Sequence, residues 1–193
     1  MKRRMFLMTA AAAIGSTGLL AAGCTTTGPD EPKGATAKRE DIESGADEAL
    51  ARLYRNAPES KALAARANGV LVFPRLYSGG FVVGGEYGDG ILRIHGRDAG
   101  FYRMIGGSIG WQAGAQSQAV IFMFLTQEAL DRFRNSNGWT AGVDATVSVA
   151  NVGASGAVDT NTAKQSVVGF ALTNLGLYAG AKLDGVKISR LPL

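Results

Sequence analysis

The sequence predicts an α+β fold, mostly β: N-terminal helices packed on a curved, glycine-rich antiparallel sheet, barrel- or sandwich-like, with one inserted helix. Three observations predict it. Apolar residues recur at helical spacing only near 38–67 and 126–134. Alternating or continuous apolar runs of strand length fill most of the remainder. Glycine takes 27 of 193 positions, about twice ordinary usage, without the three-residue period of collagen.

The first helix is read over Lys38–Arg55, where Ile42, Ala46, Ala49, Leu50, Leu53 and Tyr54 share a face. Its remaining positions carry four basic and five acidic residues, a balance that suits a helix lying on its own domain rather than on anionic lipid. Pro58 breaks it, and Glu59–Ala67 forms a second short helix ended near Asn68-Gly69. Val70–Phe73 is a short strand closed by Pro74. Phe81, Val83 and Tyr87 alternate with Gly80, Val82, Gly84 and Glu86; Gly88-Asp89-Gly90 reads as a turn and Ile91–His95 as the returning strand of a hairpin. Ile109, Trp111, Ala113 and Ala115 alternate with Ser108, Gly110, Gln112 and Gly114.

Ala119–Leu125 is continuously apolar, as a strand covered on both faces would be. Thr126–Arg134 is the inserted helix, with Thr126 as its cap, Glu128 in the first turn, and Leu130 and Phe133 three apart. Val143–Val149 alternates, and strands near 154–159, 166–172, 176–183 and 185–190 complete the set. The pairs Gly80 and Gly84, Gly110 and Gly114, and Gly176 and Gly180 each fall on one strand face. They permit either strong coiling of the sheet or close approach by a ligand.

Residues 1–23 read as a signal peptide. Lys2, Arg3 and Arg4 precede an uncharged stretch that runs to Asp30, and its core, Met5–Ala22, is apolar but diluted by Ala, Gly, Ser and Thr. That pattern describes an export leader better than a membrane span, which needs about 20 strongly apolar residues. Leu20-Ala21-Ala22-Gly23-Cys24 resembles the lipobox of bacterial lipoproteins, with leucine one position further from the Cys than usual. The resemblance implies cleavage before Cys24 and lipidation of its thiol. Arg3-Arg4-Met5-Phe6-Leu7 resembles a twin-arginine signal, and both that route and general export fit. Residues 24–37 then hold the lipidated Cys and a flexible tether, of which Thr25–Ala37 would reach about 20 Å; residues 38–193 form the domain.

Composition narrows the function. Without residues 1–23, 17 Lys+Arg face 16 Asp+Glu, so the electrostatic footprint of a nucleic-acid binder is missing. One Cys and one His leave no disulfide framework and no Cys/His metal site. Gly106-Gly107-Ser108-Ile109-Gly110 matches the G-x-S-x-G elbow of serine hydrolases. The elbow needs a helix after the serine and a later histidine, yet a strand pattern follows Ser108 and His95 precedes it. Asp89, Asp98, Asp159 and Asp184 fall at expected turns, where Asp serves the backbone. No catalytic residue, metal or cofactor is implied.

Four blocks in order carry a family resemblance: Ala67–Phe73, Gly80–Gly85, Gly106–Gly114 and Gly176–Ala181. They resemble successive motifs of the SYLF domain family across about residues 44–193. The resemblance implies a non-catalytic, lipid-binding domain of the kind found in bacterial lipoproteins and in eukaryotic phosphoinositide-binding actin regulators. The eukaryotic members' basic N-terminal helix is not matched by Lys38–Arg55. Actin does not suit a chain with a bacterial export leader.

The sequence therefore describes a bacterial envelope lipoprotein facing the periplasm, with Thr25 after the Cys resembling the outer-membrane sorting rule. Its partners are membrane lipids, anionic phospholipid among them. The alternative is an envelope scaffold whose only lipid is its anchor. Lipid contact is assigned to the segment Pro74–Gly80 through Arg75, Leu76 and Tyr77, a cation beside two interfacial side chains. The competing arrangement folds Leu76 and Tyr77 back onto the core.

Overall fold

A computed structural model describes residues 32–79, 84–108, 118–150, 164–173, 176–177 and 183–193. Residues 32–193 form one compact unit. The described helices are α1 (Pro32–Asn56), α2 (Glu59–Arg66) and α3 (Gln127–Asn135). The strands are β1 (Gly69–Gly79), β2 (Gly84–Ile94), β3 (Arg97–Ser108), β4 (Gln118–Phe124), β5 (Trp139–Thr140), β6 (Val147–Val149), β7 (Val167–Thr173), β8 (Gly176–Leu177) and β9 (Lys187–Arg190). They make one curled sheet in the order β5-β9-β3-β2-β1-β4-β7-β6, with β8 beside β7. The α+β, mostly β expectation holds, with one amendment: β6 and β7 run parallel, so the sheet is mixed.

Period-two side chains give the sheet two buried faces. On β4, Val120, Phe122 and Phe124 enter one core while Ala119, Ile121 and Met123 enter the other; β7 divides Val167 and Ala171 from Val168, Phe170 and Leu172 in the same way. The helical preface covers the second face with Ile42, Ala46, Ala49, Leu53 and Leu63. The inserted helix seals the first: Thr126 caps α3 by accepting a bond from the Ala129 amide at 3.3 Å, and Phe133 lies 4.9 Å from Tyr102 and from Phe124 and 5.7 Å from Trp139.

Several expectations need correction. Gly88-Asp89-Gly90 is no turn; it lies inside β2, and the chain reverses at His95-Gly96, both at positive φ. Glycine serves close approach here. A Cβ on Gly90 would fall 2.3 Å from the Val72 carbonyl oxygen and 2.5 Å from the Phe73 ring, so Phe73 closes over the bare backbone, a packing that lets a sheet coil. Asp89, with its turn gone, points from a strand into ion pairs. β3 is a strand where none was expected before Ser108, because Arg97, Asp98, Gly100, Arg103 and Gly106 dilute its apolar alternation.

The segment Pro74–Gly80 is no loop as far as it is described. Pro74–Gly79 continues β1 through a bulge: five steps from Val72 to Tyr77 face four from Ile91 to Tyr87 on β2, and three from Phe73 to Leu76 face two on β4. Proline lacks an amide donor, and a bulge is where a strand tolerates it. Val143 is also not in a strand. Gly142 at φ +81° and the Asp144 carboxylate, which accepts from the Thr140 amide at 2.6 Å, form a turn there. α1 begins at Pro32, inside the stretch read as tether; proline suits a helix start. The strand read over Ile109–Ala115, the strand near 154–159, Asp159, and most of the glycine pairs lie outside the described residues.

Candidate functional site

Where α1 leaves off, the sheet face it covers is open. Register places Tyr77 of β1 opposite Tyr87 of β2, Tyr87 opposite Ile105 of β3, and Ile105 opposite Lys187 of β9. This is one continuous row across four strands. Tyr77, Tyr87 and Ile105 are 52%, 51% and 53% exposed, and the two tyrosine rings stack at 5.4 Å. Large apolar side chains in a contiguous exposed row are uncommon on a soluble surface and mark contact sites.

The neighbouring row is charged. Arg103 forks onto Asp89, Nε donating to Oδ1 at 2.6 Å and Nη2 to Oδ2 at 2.9 Å, and Lys38 of α1 reaches the same carboxylate at 2.7 Å. Burial alone would raise the Asp89 carboxyl, but these donors carry it below the usual carboxylate range. Arg75 donates through Nη1 to both oxygens of Asp41 of α1, at 3.0 and 2.9 Å, which holds the guanidinium firmly charged. A hollow of about 90 Å³ lies among Lys38, Asp41, Ile42, Arg75, Tyr77 and Asp89. It is far below the roughly 300–1,000 Å³ of small-molecule pockets. The arrangement offers a surface rather than a cavity.

The three residues assigned from sequence divide. Arg75 and Tyr77 reach this surface. Leu76 is 7% exposed and belongs to the opposite core, because the bulge turns it inward. Cys24 lies outside the described residues. Sequence reasoning missed Tyr87, Ile105, Arg103 and Lys38, whose proximity is set by cross-strand register and by the lie of α1. The period-two spacing of Tyr87 and Asp89 was the signal at hand, obscured by the flanking glycines. Ser108 is the last residue of β3, and the strand read after it lies outside the described residues. His95 sits at the far end of the β2–β3 pair, roughly 35 Å away at about 3.3 Å per residue. Asp98 pairs with Arg93 at 3.0 Å, and Arg93 also holds Asp47 of α1.

No curated protein matches the chain closely enough to count as a relative. Residues 105–191, from near the end of β3 through β9, match the family model Ysc84, described as "Las17-binding protein actin regulator". This match agrees with the motif blocks on either side of β4 and α3: over residues 105–191 the chain is similar to the Ysc84, or SYLF, family.

Proposed function

We propose that this is an exported, lipid-anchored bacterial envelope protein whose domain binds anionic phospholipid without catalysing a reaction. The exposed row Tyr77–Tyr87–Ile105 carries the reading. Tyrosine combines an apolar ring with a polar tip and favours the membrane interface. Arg75, Arg103, Lys38 and Lys187 stand beside the row, and a guanidinium suits phosphate oxygens. The leader and Cys24 supply the address: export, acylation, and a short tether that keeps this surface within reach of a bilayer, with the outer membrane as the destination. The separation of His95 from Ser108 supports the absence of hydrolase chemistry. Las17 and actin, which the family description names, are not proposed as partners, since the leader directs this chain out of the cell.

Vesicle flotation of the mature chain carrying Cys24→Ser tests the domain apart from its anchor. Vesicles of phosphatidylcholine with phosphatidylglycerol should retain the protein better than phosphatidylcholine alone. Tyr77→Ser with Tyr87→Ser should weaken retention even at high salt, where charge contacts are screened. Flotation indifferent to both lipid charge and the tyrosine changes would hand the row to a protein partner. In cells, Cys24→Ser should abolish incorporation of labelled palmitate; undiminished labelling would refute the anchor.

A further inference from the structure

Three of the cations beside the exposed row, Arg75, Arg103 and Lys38, are already engaged by carboxylates of the same domain, and one of those carboxylates sits on the weakly held end of α1. Residues 34–41 of α1 contain no buried residue; the first is Ile42. Before that point its attachments include the Lys38–Asp89 pair, the Asp41–Arg75 pair and Arg39 over the Phe101 ring at 5.9 Å. Beyond it the helix is fixed by Ala46, Ala49 and Leu53 in the core, and Gly45 packs so closely that a Cβ there would lie 2.9 Å from Pro74. The helix is thus anchored by packing in its second half and latched by charge in its first.

We infer that the first turns of α1 are an autoinhibitory strap: Asp41 neutralises Arg75, and an anionic lipid surface must displace that carboxylate to gain the guanidinium. The inference rests on the lipid-binding reading and adds its regulation. Asp41 and Arg75 are 59% and 40% exposed, and an ion pair this open to water is weak enough for a dense array of phosphates to compete with it. Asp89 is different. It is 14% exposed and held by the Arg103 fork from the sheet as well as by Lys38 of the strap. It therefore keeps Arg103, and the sheet face stays intact while the strap, Lys38 with it, lifts. Other groups face the strap as well: Glu43, whose carbonyl accepts from Arg93 at 3.5 Å, and Asp47, paired with Arg93, both lie on the anchored side.

The test is a double-mutant cycle on the mature Cys24→Ser chain, reading its dissociation constant for vesicles of phosphatidylcholine with phosphatidylglycerol. Asp41→Asn should tighten binding about threefold to fivefold, the scale of an exposed ion pair. Glu48→Gln removes an equal charge from the same helix and should give clearly less. In an Arg75→Gln background the gain from Asp41→Asn should fall to that of Glu48→Gln. A spin label on Gly34→Cys, where a Cβ meets nothing within 4 Å, should change mobility when those vesicles are added and not with phosphatidylcholine alone. If Arg75→Gln weakens binding but Asp41→Asn merely equals Glu48→Gln, the strap is wrong and the lipid surface stands. If Arg75→Gln leaves binding unchanged, Arg75 is not part of the lipid surface and both fall together.

Discussion

Tyr77 and Tyr87 face each other across the β1–β2 pair with ring centroids 5.4 Å apart and planes 29° from parallel. Each ring covers one face of the other, and about half of each residue is left to solvent. A directly opposed aromatic pair is worth about 0.5–1 kcal/mol. Tyr77→Ala and Tyr87→Ala should each lower unfolding stability by about that amount, and the double variant should cost less than the two single losses added together. Denaturant titration of the four proteins measures the coupling. A modest loss also means that the serine variants used for flotation stay folded.

Gly90 should resist any side chain. Gly90→Ala places a methyl group 2.3 Å from the Val72 carbonyl and against Phe73, and relieving that overlap should cost about 2–3 kcal/mol. Gly34→Ala meets open space on a helix and should instead gain up to about 1 kcal/mol. Thermal unfolding of the pair decides whether close approach, rather than turn geometry, set these glycines.

Asp89 ties stability to pH. Its folded carboxyl lies below the usual range, because the bonds from Arg103 and Lys38 outweigh its burial. The unfolded state therefore takes up this proton first as pH falls. The contribution is complete above the ordinary carboxylate value of about 4 and is lost as pH drops through the lowered folded value. Asp89→Asn should cost about 1–2 kcal/mol at neutral pH, and the gap to the parent should narrow below about pH 4. A gap independent of pH would detach the ion pairs from stability.

Ser108→Ala and His95→Ala should leave the purified protein without any change in hydrolytic behaviour. The two residues sit at opposite ends of the β2–β3 pair, many strand residues apart. An esterase activity that disappears with Ser108→Ala would reverse the non-enzymatic reading.

Much of the fold is local and so was legible in the sequence. The unbroken apolar run of β4 became a strand buried on both faces, and Thr126 capped the helix it was expected to cap. Ile42, Ala46, Ala49 and Leu53 declared the inward face of α1. What escaped depends on partners distant in the chain. Glycine looks the same in a sequence whether it makes a turn or admits a neighbouring carbonyl, so Gly88 and Gly90 were assigned the wrong task. Arg75 meets Asp41 across 34 positions, a pairing fixed by how α1 crosses β1, and no spacing rule announces it. Ile105 was invisible because its strand is diluted by glycine and charge.

The bulge in β1 also has an arithmetic consequence. Before it, odd-numbered Leu71 and Phe73 enter the core opposite α1; after it, even-numbered Leu76 does. One supernumerary residue thus changes the parity of the strand. In an unbulged β1 the alternation would send position 77 inward and position 76 outward, removing a tyrosine from the exposed row. The identity of the outward residue is written at position 77, but its outwardness is counted from Pro74-Arg75. Length, rather than composition, selects the chemistry this edge of the sheet displays.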